Sequence, residues 1–295
     1  MEKFREYFNQ NDSLADLHLH TIYSDGMFSP KEVVYNAFYN GLKVIAITDH
    51  DTVEGIDPAL EYAKNSGLEV IPGIEISARV SGKEIHVLGY FLDWYNPVLK
   101  TILDERKKAR AERINKMVKL LYTAGFNITV NDVFQLSEHG IVGRLHLARI
   151  LVSKGYVSSV KEAFRKYIGE GKPYHAEQEL MDYKQAINLI KESGGVPVLA
   201  HPGVSKVEEF LPDIIKAGIK GLEVFHSEHT IPQMRKYFEL AKKHFLLVTG
   251  GSDCHGHGKD KILMGKIKVS LELVEDLRVT NIEQAIINKQ TVKSK

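Results

Sequence analysis

The sequence has almost no cysteine and no long apolar run. A single cysteine among 295 residues excludes an intramolecular disulfide framework and zinc sites built from cysteine pairs. Nowhere do about 18 apolar residues follow one another, as a membrane helix requires, and the opening residues MEKFREYFNQNDSLA lack the apolar core of a signal peptide. We therefore expect a protein that is neither exported nor membrane-spanning, and we place it in the cytoplasm.

Net charge is almost absent as well. Lys and Arg number 39 and Asp and Glu number 38, so the overall balance of +1 does not favour binding to nucleic acid or to an anionic membrane. The stretch from Lys100 to Lys119 is a local exception, with eight basic and three acidic residues. It predicts a helix whose charged face is either solvated and laced with ion pairs or guides a polyanion.

Short apolar runs alternate with helical patterns along most of the chain. The run VIAITDH precedes the helical pattern PALEYAKNSG, for example, and AINLIKESGG precedes the run VPVLAHP. This alternation predicts βα units, and hence an α/β fold. Helix starts are predicted at Ser29, where Pro30 and Glu32 complete a capping box, and at Thr280.

The strand-like runs disappear between about residues 100 and 185, where the sequence becomes helical. We therefore predict three parts. Residues 1–100 form the first part of the α/β domain, residues 101–185 form an inserted small helical domain, and residues 186–295 form its second part.

Two histidines follow each other at strand spacing near the N-terminus. In the segment DLHLH at 16–20 the leucines face one side of a strand, so His18 and His20 face the other side together. A lone histidine beside an apolar run is usually a satisfied core or surface residue. A pair at positions i and i+2 of a strand end is, by contrast, a recurrent metal-binding arrangement.

The same arrangement recurs after later apolar runs. In a parallel barrel the carboxyl ends of all strands lie on one face, so these side chains would meet in a single mouth. The candidate ligands are His18, His20, Asp25, His50, Glu75, His86, His201, Asp253 and His255. Nine ligands are too many for one ion with an open position, so two or three ions are implied. Imidazoles and carboxylates without thiolate suit Mn²⁺, Fe²⁺ or Zn²⁺.

The charge of such a site favours a phosphate substrate. Three divalent ions bring six positive charges, of which three carboxylates and one hydroxide remove four. The surplus of about two matches a phosphate dianion. A neutral amide or lactone would leave that surplus without a partner, so phosphoester hydrolysis is favoured over amide hydrolysis.

The motifs DLHLHTIYSDG, AITDHDTVEG, PGIEIS, EIHVLGY, VLAHPG and GGSDCHG together resemble the polymerase and histidinol phosphatase (PHP) superfamily, in the order expected for that family. The insertion VGRLHLARILVSKGYVSSVKEAFRKYIGEGKPYH resembles one branch of it, the nucleoside 3′,5′-bisphosphate phosphatases and 5′-to-3′ exoribonucleases of the RNase AM group. The resemblance implies a distorted (β/α)₇ barrel of the PHP fold with an inserted helical domain.

The resemblance also implies three divalent metal ions. His18, His20, Glu75 and Asp253 would hold the first. The second would be held by Glu75, His86 and His201. Asp25, His50 and His255 would hold the third. A hydroxide that bridges two ions would attack phosphorus in line.

Substrate contacts are expected from the inserted domain. Arg144, in the segment GRLH, is similar to the family's substrate-facing arginine and would bind phosphate in a bidentate manner; the alternative is that it caps its own helix or forms a salt bridge within it. His146 would donate a further hydrogen bond. Lys172, in the segment GEGKPY, would reach a second phosphate or be a solvated turn lysine.

Three histidines lie outside the nine candidate ligands but near strand ends. His226 follows the run LEVF as the ligands follow theirs, and we assign it as a catalytic residue that contacts substrate or protonates the leaving oxygen. The sequence assigns no role to His229 and His257.

The neighbours of the candidate ligands have alternative roles. Asp49 and Asp51 flank His50 and would either orient metal-bound imidazoles or cap their own loop. Cys254 lies between two ligands and, by strand alternation, points away from them as a packing residue.

These features together predict a metal-dependent phosphoesterase. Its substrate would be a nucleoside 3′,5′-bisphosphate such as pAp, or the 5′ end of a short single-stranded RNA, whose bases would stack on Tyr156, Tyr167 or Tyr174 unless these rings are core. The alternatives are a histidinol-phosphate phosphatase, an amidohydrolase, and a non-catalytic RNA-binding protein with structural metals. No membrane association and no obligate protein partner are expected.

Overall fold

The computed structural model describes residues 2–8, 13–137, 141–258 and 262–293. The strands are β1 (Ser13–Leu19), β2 (Val44–Ile47), β3 (Glu69–Val80), β4 (Lys83–Tyr90), β5 (Met181–Asp182), β6 (Val196–Leu199), β7 (Gly221–His226), β8 (Leu247–Gly251) and β9 (Val269–Ser270). The helices that flank the sheet are α1 (Glu2–Tyr7), α2 (Pro30–Tyr39), α3 (Ile56–Ala63), α8 (Tyr183–Glu192), α9 (Pro202–Ser205), α10 (Leu211–Lys216), α11 (Ile231–Lys243) and α12 (Leu271–Lys293). No helix within these ranges is long and apolar enough to cross a bilayer.

The strands form one nearly closed barrel-shaped sheet in the order β8-β7-β6-β4-β3-β2-β1-β9. Neighbours are parallel except at β4, which runs antiparallel to both β3 and β6, and at the short edge strand β9, which runs antiparallel to β1. The gap between β8 and β1 is spanned just beyond β8, where the His20 amide donates to the Cys254 carbonyl and the Asp253 amide to the His18 carbonyl. The predicted distorted α/β barrel is confirmed, and the reversed strand β4 is its main departure from a regular barrel.

Local sequence explains most element boundaries. The strands β2 and β6 are buried along their whole length because helices cover one face and the barrel interior the other, which their apolar runs require. The predicted capping box starts α2, with the Ser29 amide donating to Glu32 at 2.7 Å. The helix start predicted at Thr280 is wrong, because α12 continues through it from Leu271.

The insertion has a hydrophobic core of its own. It consists of α4 (Pro97–Thr123), α5 (Val130–Phe134), α6 (Arg144–Ser153), α7 (Val160–Ala163) and a π-helical turn (Phe164–Ile168). In α4, Leu99 and Leu103 pack in the barrel core, whereas Ile114, Met117 and Leu121 pack in the second core. The change from one core to the other therefore occurs inside a single helix, about 40 Å long at 1.5 Å per residue.

Gly251 allows β8 to approach β1 at the closing point of the barrel. A Cβ atom at this position would overlap the backbone nitrogen and the Cβ of His18. We predict that Gly251→Ala lowers the free energy of unfolding by about 1–3 kcal/mol, because the two strands must separate to accept the methyl group. Thermal unfolding measures this, with Lys242→Ala on the exposed face of α11 as control. An unchanged melting temperature would contradict the tight approach.

Candidate metal centre

The nine predicted ligands meet at one end of the barrel. Most of them lie at or just beyond the carboxyl ends of parallel strands, as the barrel geometry requires. Seven of them line a cavity of about 740 Å³, namely Asp25, His50, Glu75, His86, His201, Asp253 and His255. His18 and His20 lie buried beneath its floor.

Glu75 is the centre of the cluster. Its two carboxylate oxygens lie 2.8–3.2 Å from imidazole nitrogens of five residues, which are His18, His20, His50, His86 and His201. Asp253 approaches from the other side, with Oδ1 3.2 Å from Nε2 of His20. One carboxylate among so many imidazoles is suited to bridge cations.

Ligand atoms gather within 4.8 Å of one another in overlapping groups. The groups are His18, His20 and Glu75; His50, Glu75 and His86; His20, Asp25, His50 and His255; and His18, His226 and Asp253. The structure thus brings the nine predicted ligands together, and the division into three ions stays a prediction. His50 lies close to Glu75 as well as to the Asp25 group, so it is placed between two of the predicted sites.

The tautomers of two histidines fit metal binding. Nδ1 of His18 donates to Oε1 of Glu223 at 2.9 Å, and Nδ1 of His255 donates to the Asp253 carbonyl at 2.9 Å. Each bond leaves the Nε2 lone pair directed at the cluster. The Nε2 atoms of His18 and His20 lie 3.1 Å apart, so a shared cation or proton must relieve the repulsion between their lone pairs.

Electrostatics favour positive charge in the cluster. Burial lowers the pKa of His86, but the Glu75 carboxylate more than offsets burial and raises this pKa to about 10. Burial also lowers the pKa of His20, but the Asp253 and Glu75 carboxylates outweigh burial and raise this pKa to about 9. Bound divalent ions would replace these protons, because imidazoles bind metal only when deprotonated.

Several of these residues have strained backbone. Asp253, Asp51 and His201 have φ angles of 54°, 49° and 26°, in the left-handed region that L-residues rarely adopt. Such conformations cost about 1–3 kcal/mol each and persist only where the surroundings enforce them. Here the enforcing contacts include the Asp51 amide bonded to the Glu75 carbonyl and the Asp253 amide bonded to the His18 carbonyl.

Two supporting carboxylates were missed from the sequence. Glu223 is completely buried in β7, where Oε1 accepts from His18 and Oε2 accepts from the His201 amide at 2.8 Å. Glu84 lies 3.5 Å from Nε2 of His86. The sequence signal for Glu223 is its position inside the apolar run GLEVFH, because a carboxylate buried in such a run needs a partner.

Asp49 and Asp51 hold loops, and no described imidazole is their hydrogen-bond partner. Asp49 accepts from the amide and hydroxyl of Thr21, each at 2.7 Å, and thereby fixes the loop that leads to Asp25. Asp51 pairs with Nε of Arg110 at 2.7 Å and accepts from the Ser77 amide. Of the two roles considered for these aspartates, the loop-holding one matches these contacts.

The three predicted substrate residues lie in different places. Arg144 lines the cavity, where Nη2 donates to both oxygens of Glu84 at 3.0 and 3.1 Å. His146 is buried outside the cavity lining, and its Nδ1 accepts from the Gly143 amide at the start of α6. Lys172 is in an exposed turn that also lies outside that lining, so the geometry does not support its predicted contact.

The three other histidines near strand ends, His226, His229 and His257, have different surroundings. His226 is buried and lines the cavity, with Nε2 3.5 Å from Oδ2 of Asp253. His229 uses both ring nitrogens within the protein, donating to the Val224 carbonyl and accepting from the Gly203 amide. His257 is exposed and contacts the ring of Phe28.

Comparisons with known proteins agree with this geometry. The family model described as the PHP domain matches residues 16–209. A 5′-3′ exoribonuclease from Haemophilus influenzae is 36% identical, covering 81% of this chain and 89% of the relative. A 3′,5′-nucleoside bisphosphate phosphatase from Chromobacterium violaceum is 31% identical, covering 83% and 88%.

Two further relatives broaden this picture. A phosphoribosyl 1,2-cyclic phosphate 1,2-diphosphodiesterase from Eggerthella lenta is 31% identical, covering 82% of this chain and 94% of the relative. A solved structure from Bifidobacterium adolescentis, provisionally described as a metal-dependent phosphoesterase, superposes with a TM-score of 0.84 at 32% identity. It covers 90% of this chain and 95% of that one.

We predict that Glu223→Gln weakens metal binding about 10- to 100-fold, because the one amide oxygen cannot accept from both His18 Nδ1 and the His201 amide, so one of the two predicted ligands loses its support. The measurement is the Mn²⁺ concentration needed for half-maximal loading, determined by elemental analysis of protein equilibrated at each concentration. Glu239→Gln, on the exposed face of α11, is the control. Equal Mn²⁺ affinities for the variant and the control would refute this role of Glu223.

Proposed function

The chain belongs to the PHP domain family, and we propose that it is a phosphoesterase of nucleotides. Its substrates would be nucleoside 3′,5′-bisphosphates, such as pAp hydrolysed to AMP, or the 5′ ends of short RNA. Relatives named for these two activities support the substrate class. The observation that carries the proposal is the ligand cluster, which opens into a cavity that the insertion lines with arginines.

The cavity outside the ligands suits an anion with more than one phosphate. Its lining includes four cations, Arg110, Arg113, Arg144 and Lys161, against two carboxylates, Glu84 and Glu228. Because Arg110 is already paired with Asp51 behind the lining, a surplus of about one positive charge adds to that of the metal ions. Lys161 is exposed at the start of α7 and was not predicted from the sequence; we assign it the second-phosphate contact expected of Lys172.

The insertion supplies most of the cavity wall that faces the ligands. Arg110 and Arg113 come from α4, Arg144 from α6, and Lys161 and Phe164 from the segment around α7. We propose that the predicted helical domain, residues 101–185, is a substrate-capping domain that restricts access to a nucleotide or a single strand.

We propose that three divalent ions, Mn²⁺, Fe²⁺ or Zn²⁺, occupy the cluster in the sets that the family resemblance implies. When bound, such ions supply Lewis acidity toward phosphoryl oxygens and lower the pKa of coordinated water. Imidazole and carboxylate donors without thiolate fit this use. The chain's own contribution is to orient the ligands through Glu223 and Glu84 and to bind the substrate anion.

His226 is suited to donate a proton or hydrogen bond rather than to bind metal. Its Nδ1 accepts from the Glu228 amide at 3.2 Å, so in the neutral ring the proton is on Nε2. That Nε2 is buried and has no hydrogen-bond partner among the described residues. A metal ligand would need the opposite tautomer, whose Nδ1 proton would face the Glu228 amide. We propose that Nε2 of His226 donates its proton or a hydrogen bond to a leaving oxygen of the substrate.

The proposed substrate class is tested with pAp, 5′-phosphorylated RNA oligonucleotides, a ribose cyclic phosphate and histidinol phosphate. We predict Mn²⁺-dependent turnover of pAp or stepwise 5′ shortening of RNA. Both should be abolished by chelator and by His50→Ala, since His50 lies between two metal sites. Turnover confined to histidinol phosphate or to the cyclic phosphate would overturn the proposal, and the latter would match the Eggerthella relative.

We predict that His226→Ala lowers kcat about 10²- to 10⁴-fold through loss of the Nε2 proton, with metal content unchanged. Elemental analysis of the purified variant and steady-state kinetics on pAp measure both quantities. His229→Ala removes a neighbouring histidine that does not line the cavity, and serves as the control. Loss of a metal ion from His226→Ala would instead identify His226 as a ligand.

A further inference from the structure

A second groove, of about 520 Å³, lies on the outer side of α4. It is formed where the last turns of this helix meet the segment that follows the π-helical turn. Its lining is Lys116, Lys119, Leu120, Thr123, Ala124, Pro173, Tyr174 and Ala176. The groove thus combines two cations, an aromatic ring and apolar surface, and it shares none of its residues with the metal cavity.

The groove lies next to the metal cavity along the same helix. Arg113 lines the cavity, and Lys116 lies one turn further on the same side of α4. The two sites are also joined through Ala176, a groove residue whose carbonyl accepts from Nε of Arg113 at 2.9 Å. A strand that leaves the cavity mouth and follows α4 would therefore reach the lysines next, beyond the buried Arg113.

The groove cations are available to a ligand. Lys116 and Lys119 are exposed, and neither side-chain ammonium forms an ion pair or hydrogen bond within the described part of the chain. Tyr174 is held in place by the rings of Phe126 and Tyr167, at centroid distances of 5.4 and 5.8 Å. Lysines beside a fixed aromatic ring are the elements that single-stranded nucleic acids use, for phosphate contact and for base stacking.

We propose that this groove binds single-stranded RNA downstream of the nucleotide held in the metal cavity. The inference rests on the proposed function, and it adds a site that determines preference for chain length. Lys119 lies six residues beyond Arg113, about 9 Å along the helix axis. At about 3.4 Å per stacked nucleotide, the lysines contact the strand about three nucleotides from the cavity. A mononucleotide does not reach them.

The test compares Lys116→Ala/Lys119→Ala with the wild-type protein, both loaded with Mn²⁺. Substrates are pAp, a 5′-phosphorylated dinucleotide and a 5′-phosphorylated ten-nucleotide RNA. We expect KM for the ten-nucleotide RNA to rise about tenfold, while kcat/KM for pAp stays unchanged. The slope of log KM against log salt should fall by about 1.4, since each lysine contact accounts for about 0.7 on single strands.

Tyr174→Leu tests the stacking contact separately. It should raise KM for the ten-nucleotide RNA and leave pAp turnover intact, because base stacking on an aromatic ring is lost. Lys108→Ala and Tyr122→Leu are matched controls, because both side chains are exposed on α4 and lie outside the groove. Both controls should keep the wild-type KM for every substrate.

The outcomes separate the groove from the proposed function. If wild-type protein shortens RNA but the double variant keeps the wild-type KM and salt slope at every length, the groove does not bind the strand. If wild-type protein turns over pAp without shortening RNA, the groove proposal is also overturned, although the phosphatase function stands. If neither substrate is turned over, the proposed function fails first, and the groove proposal falls with it.

Discussion

The barrel is built around a crowded set of charges at one end. Five imidazoles surround the buried Glu75 carboxylate, and Asp253, Asp25 and His255 lie beside them. An apolar packing of the same volume would be more stable, because buried polar groups are expensive unless fully satisfied. The surrounding structure supplies part of that satisfaction, although buried atoms such as Oδ1 of Asp25 and Nδ1 of His201 have no hydrogen-bond partner among the described residues. Glu223 bonds His18, and the buried Asp16 accepts from the Ser252 amide at 2.8 Å, so the fold around the cluster is largely a support for it.

How much of this the sequence predicts depends on how local each feature is. Strand runs and the spacing of His18 and His20 are local, and a parallel barrel brings remote strand ends together without further information. Strand direction is not local. His86 lies in the middle of β4, because that strand runs antiparallel and its carboxyl end points away from the site. Similarly, the residues at Thr280 match a helix start, yet α12 begins earlier, at Leu271, because Leu273, Val274 and Leu277 pack in the barrel core, and it continues through Thr280.

Supporting residues are the least predictable part of the site. The buried run of β7 indicates that the Glu223 carboxylate is paired, but a single sequence does not identify its partner, since facing depends on which strands are neighbours. Lys161 and Lys172 are both lysines near turns of the insertion, and only the packing of α7 over the barrel puts the first at the cavity. The candidate ligands can therefore be predicted from the sequence pattern at strand ends. The candidate substrate contacts depend instead on the tertiary arrangement of the insertion.

The insertion is tied to the metal cluster through buried ion pairs and hydrogen bonds. Arg110 bonds Asp51 beside His50, and Arg149 donates to the carbonyl of Asp25. Breaking one partner of a buried pair leaves an uncompensated charge, at a cost of about 3–5 kcal/mol. These contacts hold the insertion against the barrel. Glu84 links the insertion to the cluster most directly, because it contacts both His86 and Arg144. A substrate phosphate bound at Arg144, as proposed, would share that guanidinium with the carboxylate beside the predicted ligand His86, so substrate binding and ligand geometry would be coupled through Glu84.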